Sequence, residues 1–194
     1  MPRVKTVDKE TAILEAASRV FAARDFHDVL TEEIAALAGI GKGTIYRYFE
    51  TKDELYLATV AHCLKSLHAD LLSRTRHEAS PARRLEGMAR DVLAFAVHQQ
   101  HLYALLARQE GALAHQQARL KKDRERLLRL VQGTIVEGIE KGELRGVDPR
   151  LAAELFFGML RAARTLRREG DTPEALAREV SDVFLNGARK EARR

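Results

Sequence analysis

Residues Thr31–Leu55 read TEEIAALAGIGKGTIYRYFETKDEL, and this stretch decides the fold. Thr31 can cap a helix, its hydroxyl accepting from an otherwise free backbone N–H. Glu32 and Glu33 follow in the first turn, where the helix dipole favours negative charge. Ile34, Ala35, Leu37 and Ala38 supply an apolar face whose small members let a second helix cross closely. Gly39 falls where a helix ends on a left-handed residue, Ile40 can plug the turn, and Gly41 permits a second chain reversal. In the short segment Lys42–Phe49 that follows, Ile45 and Phe49 lie four apart and share one core-facing side. At about 3.6 residues per turn, Gly43 and Arg47 then fall nearly opposite, with Thr44 and Tyr46 on the flanks.

The chemistry of that outer side suits a nucleic-acid surface. Gly43 carries no side chain and allows close backbone approach. Arg47 can reach guanine O6/N7 or a phosphate, and Thr44 a thymine methyl or a phosphate. The hydroxyls of Tyr46 and Tyr48 suit phosphate oxygens, which position a protein without reading sequence. Lys42, at the helix start, can reach either. Thr51-Lys-Asp-Glu54 is a capping box, so a new helix begins there, its N-terminal N–H groups and Lys52 facing the same phosphates. Two short helices across a glycine turn, the second polar outside, are how a helix-turn-helix offers a recognition helix to the major groove. The competing reading is a small helical subdomain with a solvated polar face.

The string T31-x-x-I-A-x-x-A-G39-x-x-x-G43-T-x-Y46-x-Y-F49-x-x-K52-x-x-L55 resembles the DNA-binding signature of the TetR family, the tetracycline-repressor-like regulators. It covers 25 of the 194 residues, without a departure inside it. The resemblance implies a homodimer whose second domain binds a small molecule and controls DNA release. By position it carries DNA contact onto Lys42, Gly43, Thr44, Tyr46, Tyr48 and Lys52. Arg47 sits at a variable family position, as a specificity determinant would. With Thr31, these residues form the expected DNA-contact set.

Composition sets the bounds. A chain of 194 residues with 31% charged and 45% hydrophobic residues is an ordinary globular protein, able to bury a sizeable core. No apolar run reaches the length of a membrane span, the N-terminus lacks a signal-peptide apolar core, and the single cysteine, Cys63, excludes an internal disulfide. Cytoplasmic residence without membrane contact is the expectation. The net charge of +5 does not come from the motif: residues 1–52 hold eight Lys/Arg and eight Asp/Glu. The DNA reading therefore rests on the local placement of Lys42, Arg47 and Lys52, and on the basic arm at Arg3 and Lys5.

The pattern predicts an all-α fold: an N-terminal three-helix helix-turn-helix domain over 1–52 and a helical ligand-binding and dimerisation domain over 53–194. Asp8 caps a first helix with the apolar set Ile13, Ala17, Val20 and Phe21. Ser80-Pro81, Asp148-Pro149 and Thr172-Pro173 each pair a capping residue with proline at the first helical position. Helices follow at about 52–75, 81–98, 101–109, 113–141, 149–168 and 173–190, about nine in all.

Other chemistry is thinly represented. None of the seven histidines has Glu three residues before it, as a di-iron carboxylate bundle requires. His98 and His101 read as the end of one helix and the start of the next. No P-loop, dinucleotide fingerprint or Gly-x-Ser-x-Gly is present. Neither metal, cofactor nor catalysis is expected. Arg161 and Arg164 share a face that either meets a ligand carboxylate or is solvated. Val60, Leu64, Leu67, Met88, Val92, Phe95, Leu127, Val131, Phe156 and Met159 could line a cavity for an apolar or amphipathic small-molecule effector, although the same spacing suits plain core. Leu155, Gly158, Ala162, Leu166, Leu176, Val180, Val183, Phe184 and Gly187 form stripes on the last two helices, where the family builds its dimer; closing the monomer bundle is the alternative. The reading is a ligand-responsive repressor that binds a palindromic operator as a homodimer. Its rivals are a helical-bundle enzyme, or a dimeric interaction module whose N-terminal motif is only structural.

Overall fold

The computed structural model describes residues 8–99 and 114–188. Eight α-helices occur among them: α1 (Lys9–Ala23), α2 (Thr31–Leu37), α3 (Lys42–Tyr48), α4 (Lys52–Thr75), α5 (Pro81–His98), α6 (Ala114–Glu140), α7 (Pro149–Thr165) and α8 (Pro173–Ala188), with a 3₁₀ turn at Phe26–Asp28. The described residues contain no strand, and no helix is long and apolar enough to cross a membrane. The helix expected near 101–109, with His101, lies outside the described residues. Two compact units form: residues 8–65 with 99 and 114–121, and residues 66–98 with 122–188.

The first unit is built around α1, α2, α3 and the start of α4. Ile13, Ala17 and Phe21 bury with Ile34, Ala35, Ile45, Phe49, Leu55 and Tyr56. Tyr56 stands edge-on to Phe21 at 5.0 Å and to Phe26 at 5.3 Å, so the connection at 25–30 contributes an aromatic to the core. Asp8 takes the N-cap position of α1 through its carbonyl, which accepts from Ala12 N–H at 3.0 Å; its side chain makes no capping bond.

The turn between α2 and α3 is a Schellman motif. Ile40 N–H reaches back to Ala35 O (3.0 Å) and Gly39 N–H to Ala36 O (3.2 Å), with Gly39 at φ +68°. Gly41 differs from expectation: at φ −77° and ψ 146° it caps α3 in extended backbone that any residue adopts. Leu37 differs too, since it is exposed, and Thr31, Ile34 and Ala35 carry the inward face of α2.

The second unit packs α5, α7 and α8 together with the rest of α4 and α6. Leu85, Met88, Ala89 and Leu93 bury with Val131, Ile135, Ala153, Phe156, Leu160 and Phe184. Phe156 meets Phe184 edge-on at 5.2 Å. All three proline starts are found. Asp148 accepts from Leu151 N–H at 2.6 Å, Thr172 Oγ1 from Ala175 N–H at 3.2 Å, and Ser80 Oγ from Arg83 N–H at 3.3 Å. The start of α5 is tied to the end of α6. Glu143 Oε2 accepts from Ser80 Oγ (2.7 Å) and Ala82 N–H (3.2 Å), Lys141 donates to Ala79 O (3.0 Å), and Arg84 pairs with Glu137. A second Schellman turn, with Gly142 at φ +73°, folds Leu144 back over Gly138.

Candidate nucleic-acid interface

The sequence of α3 sorts its residues by face. Ile45 is 1% exposed and Phe49, just past the helix, is buried, while Lys42, Gly43, Tyr46, Arg47 and Tyr48 are exposed and Thr44 is half-buried. A Cβ placed on Gly43 would meet nothing within 4 Å, so backbone there is open to an approaching surface. Arg47 makes no ion pair among the described residues and stands free to contact a ligand.

Thr31 departs from its expected local role. The N-cap of α2 is Leu30, and no side chain caps this helix. Thr31 is buried instead, its hydroxyl 3.2 Å from Tyr46 Oη and 3.3 Å from Glu32 Oε2. Tertiary packing outweighs capping here, because α3 brings a phenol that a buried hydroxyl can meet.

The charges around α3 are arranged by α2 and by the 25–30 connection. Glu32 Oε1 lies 2.5 Å from Lys42 Nζ, which also stands 5.8 Å from the Tyr46 ring centroid. Lys42 holds the Glu32 carboxyl below the ordinary carboxylate range, and Glu32 in turn raises Lys42. Glu33 takes Arg24 in a two-pronged pair at 2.8 and 3.1 Å. Lys52 sits 4.5 Å over the Phe26 ring and donates to His27 O at 3.4 Å, so its ammonium is oriented without losing its charge to a carboxylate. Thr51 Oγ1 accepts from Glu54 N–H at 3.1 Å, but the return bond of Glu54 goes to Glu50 N–H (2.7 Å), one residue earlier than a standard capping box. The structure thus gathers Thr31, Lys42, Thr44, Tyr46 and Arg47 on and beside α3, and Lys52 at the start of α4.

In the second unit, Leu67, Met88, Leu127, Val131 and Phe156 are buried, and Val92, Phe95 and Met159 are half-buried; Val60 and Leu64 are buried in the first unit. Burial of this kind serves plain core equally. The α7 and α8 stripes separate into two sets. Leu176, Val180 and Phe184 are buried within the protomer; they recur every four residues on the side of α8 that packs inward. Leu155 (55% exposed), Leu166 (76%) and Val183 (64%) stay outside, with Ala162 and Gly187 exposed, Gly158 half-buried and Leu151 joining them. Arg161 is exposed and Arg164 half-buried.

Two features escaped sequence reasoning. Asp123 is buried on the inward stripe of α6 with Leu120 and Leu127; its Oδ1 accepts from Arg126, and its Oδ2 has no partner among the described residues. The Glu32–Lys42 pair joins two helices, and no helical spacing announces it. Cys63 is buried, and its thiol is pushed up to about 11 by burial, which suits packing better than redox chemistry. The described residues contain no group of three or more His, Cys, Asp or Glu arranged to hold a metal ion.

Comparison with known proteins agrees with this geometry. Residues 13–59 match the family model for bacterial regulatory proteins of the tetR family, and residues 78–188 match that for the tetracyclin repressor-like C-terminal domain. The chain is 26% identical to the fatty acid metabolism regulator protein of Bacillus subtilis (strain 168), over 92% of this chain and 95% of that one. It is 26% identical to the HTH-type transcriptional repressor KstR2 of Mycobacterium tuberculosis, over 92% of both. Its fold is shared with the transcriptional regulator FadR from Bacillus subtilis in complex with stearoyl-CoA, at a TM-score of 0.74 and 21% identity over 92% of this chain and 98% of that one.

Proposed function

The chain belongs to the tetR family of bacterial regulatory proteins and is a DNA-binding transcriptional regulator; on that premise we propose that it is a homodimeric repressor of a palindromic operator, released by an amphipathic acyl thioester. The observation that carries the reading is the division of α3, with Ile45 and Phe49 inward and Lys42, Gly43, Tyr46, Arg47 and Tyr48 outward. Residues 1–52 are the reading domain, and residues 53–194 bind the effector and dimerise. Arg47 reads a base edge. Lys42, Thr44, Tyr46, Tyr48 and Lys52 hold phosphates, with Gly43 admitting the backbone, while Thr31 acts by holding Tyr46. A two-fold dimer sets two such helices into successive major grooves, about 34–36 Å apart.

The dimer face is the exposed set Leu155, Gly158, Ala162, Leu166, Val183 and Gly187. An effector with a long acyl chain suits the apolar interior of the second unit around Met88, Val131, Phe156 and Met159, and the stearoyl-CoA bound by FadR supports this class. Such a ligand acts only if it binds the DNA-incompetent conformer more tightly, since equal affinity shifts nothing. The relatives named above are regulators, which favours this reading over an enzyme.

The test is selection of bound fragments from sheared genomic DNA, using protein refolded from denaturant to remove co-purified ligand. An enriched inverted repeat that stearoyl-CoA releases and acetyl-CoA does not supports the reading. No enriched sequence overturns the operator assignment, and release by neither thioester overturns the effector class.

A further inference from the structure

We propose that Glu32 restrains DNA binding: its carboxylate holds the place on Lys42 that a DNA phosphate would take, and so weakens the protein's hold on the DNA backbone. The inference rests on the reading of α3 as the DNA-contacting helix.

Four side chains close a ring on this face. Tyr46 Oη meets the Thr31 hydroxyl at 3.2 Å, Thr31 donates to Glu32 Oε2 at 3.3 Å, Glu32 Oε1 takes Lys42 Nζ at 2.5 Å, and Lys42 lies 5.8 Å from the Tyr46 ring centroid. Thr31 is the buried member, so the carboxylate is oriented from inside and directed at the ammonium. The other two cations of the face are treated differently. Lys52 is held by an aromatic ring and a backbone carbonyl, neither of which cancels its charge, and Arg47 makes no ion pair among the described residues. Lys42 alone of the three is neutralised by a carboxylate, in a segment (1–52) whose Lys/Arg and Asp/Glu balance. Glu32 is well exposed, with its carboxyl held below the ordinary range by Lys42, so the pair is intact at neutral pH and open to exchange with solvent or DNA.

The exchange has a measurable signature. A lysine that neutralises a phosphate releases counterions and adds about 0.9 to the slope of log K against log salt. If that lysine first leaves a carboxylate, the freed anion takes up a cation and the gain nearly cancels. Random DNA and operator both take Lys42 through a phosphate, so the lost pair costs each the same. Glu32 therefore lowers affinity for random sequence and operator by about the same factor.

The experiment measures binding of a random-sequence duplex and of the selected operator at several salt concentrations, for the wild type, Glu32→Gln, Lys42→Gln, the double variant and the control Glu15→Gln. The control removes the same charge from an exposed residue of α1 that is not paired with Lys42. Glu32→Gln is expected to steepen the random-DNA slope by about 0.9 per protomer, which is roughly eightfold in affinity per protomer at 0.1 M salt. The operator should gain about the same factor, the control much less, and the Glu32 effect should vanish when Lys42 is Gln. A Glu32→Gln slope equal to wild type, or an effect that persists without Lys42, overturns the proposal while leaving the DNA reading intact. Wild-type protein with no salt-dependent DNA affinity overturns both.

Discussion

The two glycines of the α2–α3 turn should answer the same substitution differently. Gly39 sits at φ +68°, and a Cβ there would meet nothing within 4 Å, so Gly39→Ala carries only a backbone cost. Holding an L-residue in the left-handed region costs about 1–2 kcal/mol. The reduced freedom of the unfolded chain offsets about 0.4–1 kcal/mol of it. The net is a loss of about 1 kcal/mol, or about 4–8 °C in the midpoint of a unit of this size. Gly41 also has open space around its Cβ position but lies at φ −77°. For Gly41→Ala the same unfolded-state gain is met by the poorer capping preference of alanine, about 0.5–1 kcal/mol, and the two nearly cancel. Gly39→Asn, which tolerates the left-handed region, should lose less than half of what alanine loses. Urea unfolding followed by tyrosine fluorescence reads this directly, because Tyr46, Tyr48 and Tyr56 all lie in the first unit. Equal losses at 39 and 41, or none at 39, would show that backbone conformation is not what the turn requires of its glycine.

Further outcomes follow from the two faces and the ion pairs. Arg47→Ala should weaken operator binding by about 1–3 kcal/mol per half-site and relax the preference at one base position, read by repeating the selection with the variant; a loss equal on random and operator DNA would reassign Arg47 to phosphate. Leu155→Glu combined with Val183→Glu should give a folded monomer in sedimentation, since both residues are exposed and apolar; an intact dimer would move the interface elsewhere. Arg84, then Lys141, hold the Glu137 carboxyl down at about 2, against its ordinary 4.5. The stabilisation this gives is complete above pH 4.5 and lost as pH falls towards 2. The melting difference between wild type and Glu137→Gln should therefore shrink across that window, and a difference that stays constant would remove Glu137 as its source.

What was legible in the sequence was what is local. Pro81, Pro149 and Pro173 each follow a residue whose side chain caps the same helix, so these starts could be placed without any knowledge of packing. Helical period alone set Ile45 and Phe49 inside and Gly43 and Arg47 outside. Thr31 was misplaced because its hydroxyl answers to Tyr46, fifteen residues away, and not to its own helix. The α8 stripe was left between a dimer face and the closing of the monomer bundle because hydrophobic spacing shows which residues leave water, not whether they leave it against their own chain or another. Leu176, Val180 and Phe184 face inward and Val183 does not, a distinction set by how α8 lies on α5 and α7. Glu143 at the start of α5, Glu32 on Lys42 and the half-partnered Asp123 carry no periodic signal, since each depends on where another segment lies.

The tie between the start of α5 and the end of α6 has a kinetic meaning. Ser80 and Glu143 are 63 positions apart, Ala79 and Lys141 are 62 apart, and neither bond forms until the whole loop between them has closed. Around α1 to α3 the side-chain bonds span far less: nine positions from Arg24 to Glu33, ten from Glu32 to Lys42 and 25 from His27 to Lys52. Closing short loops costs less chain entropy and occurs sooner. During synthesis, the ties around the DNA reader can therefore close before Glu143 has left the ribosome, and the slower search belongs to the part of the molecule that governs it.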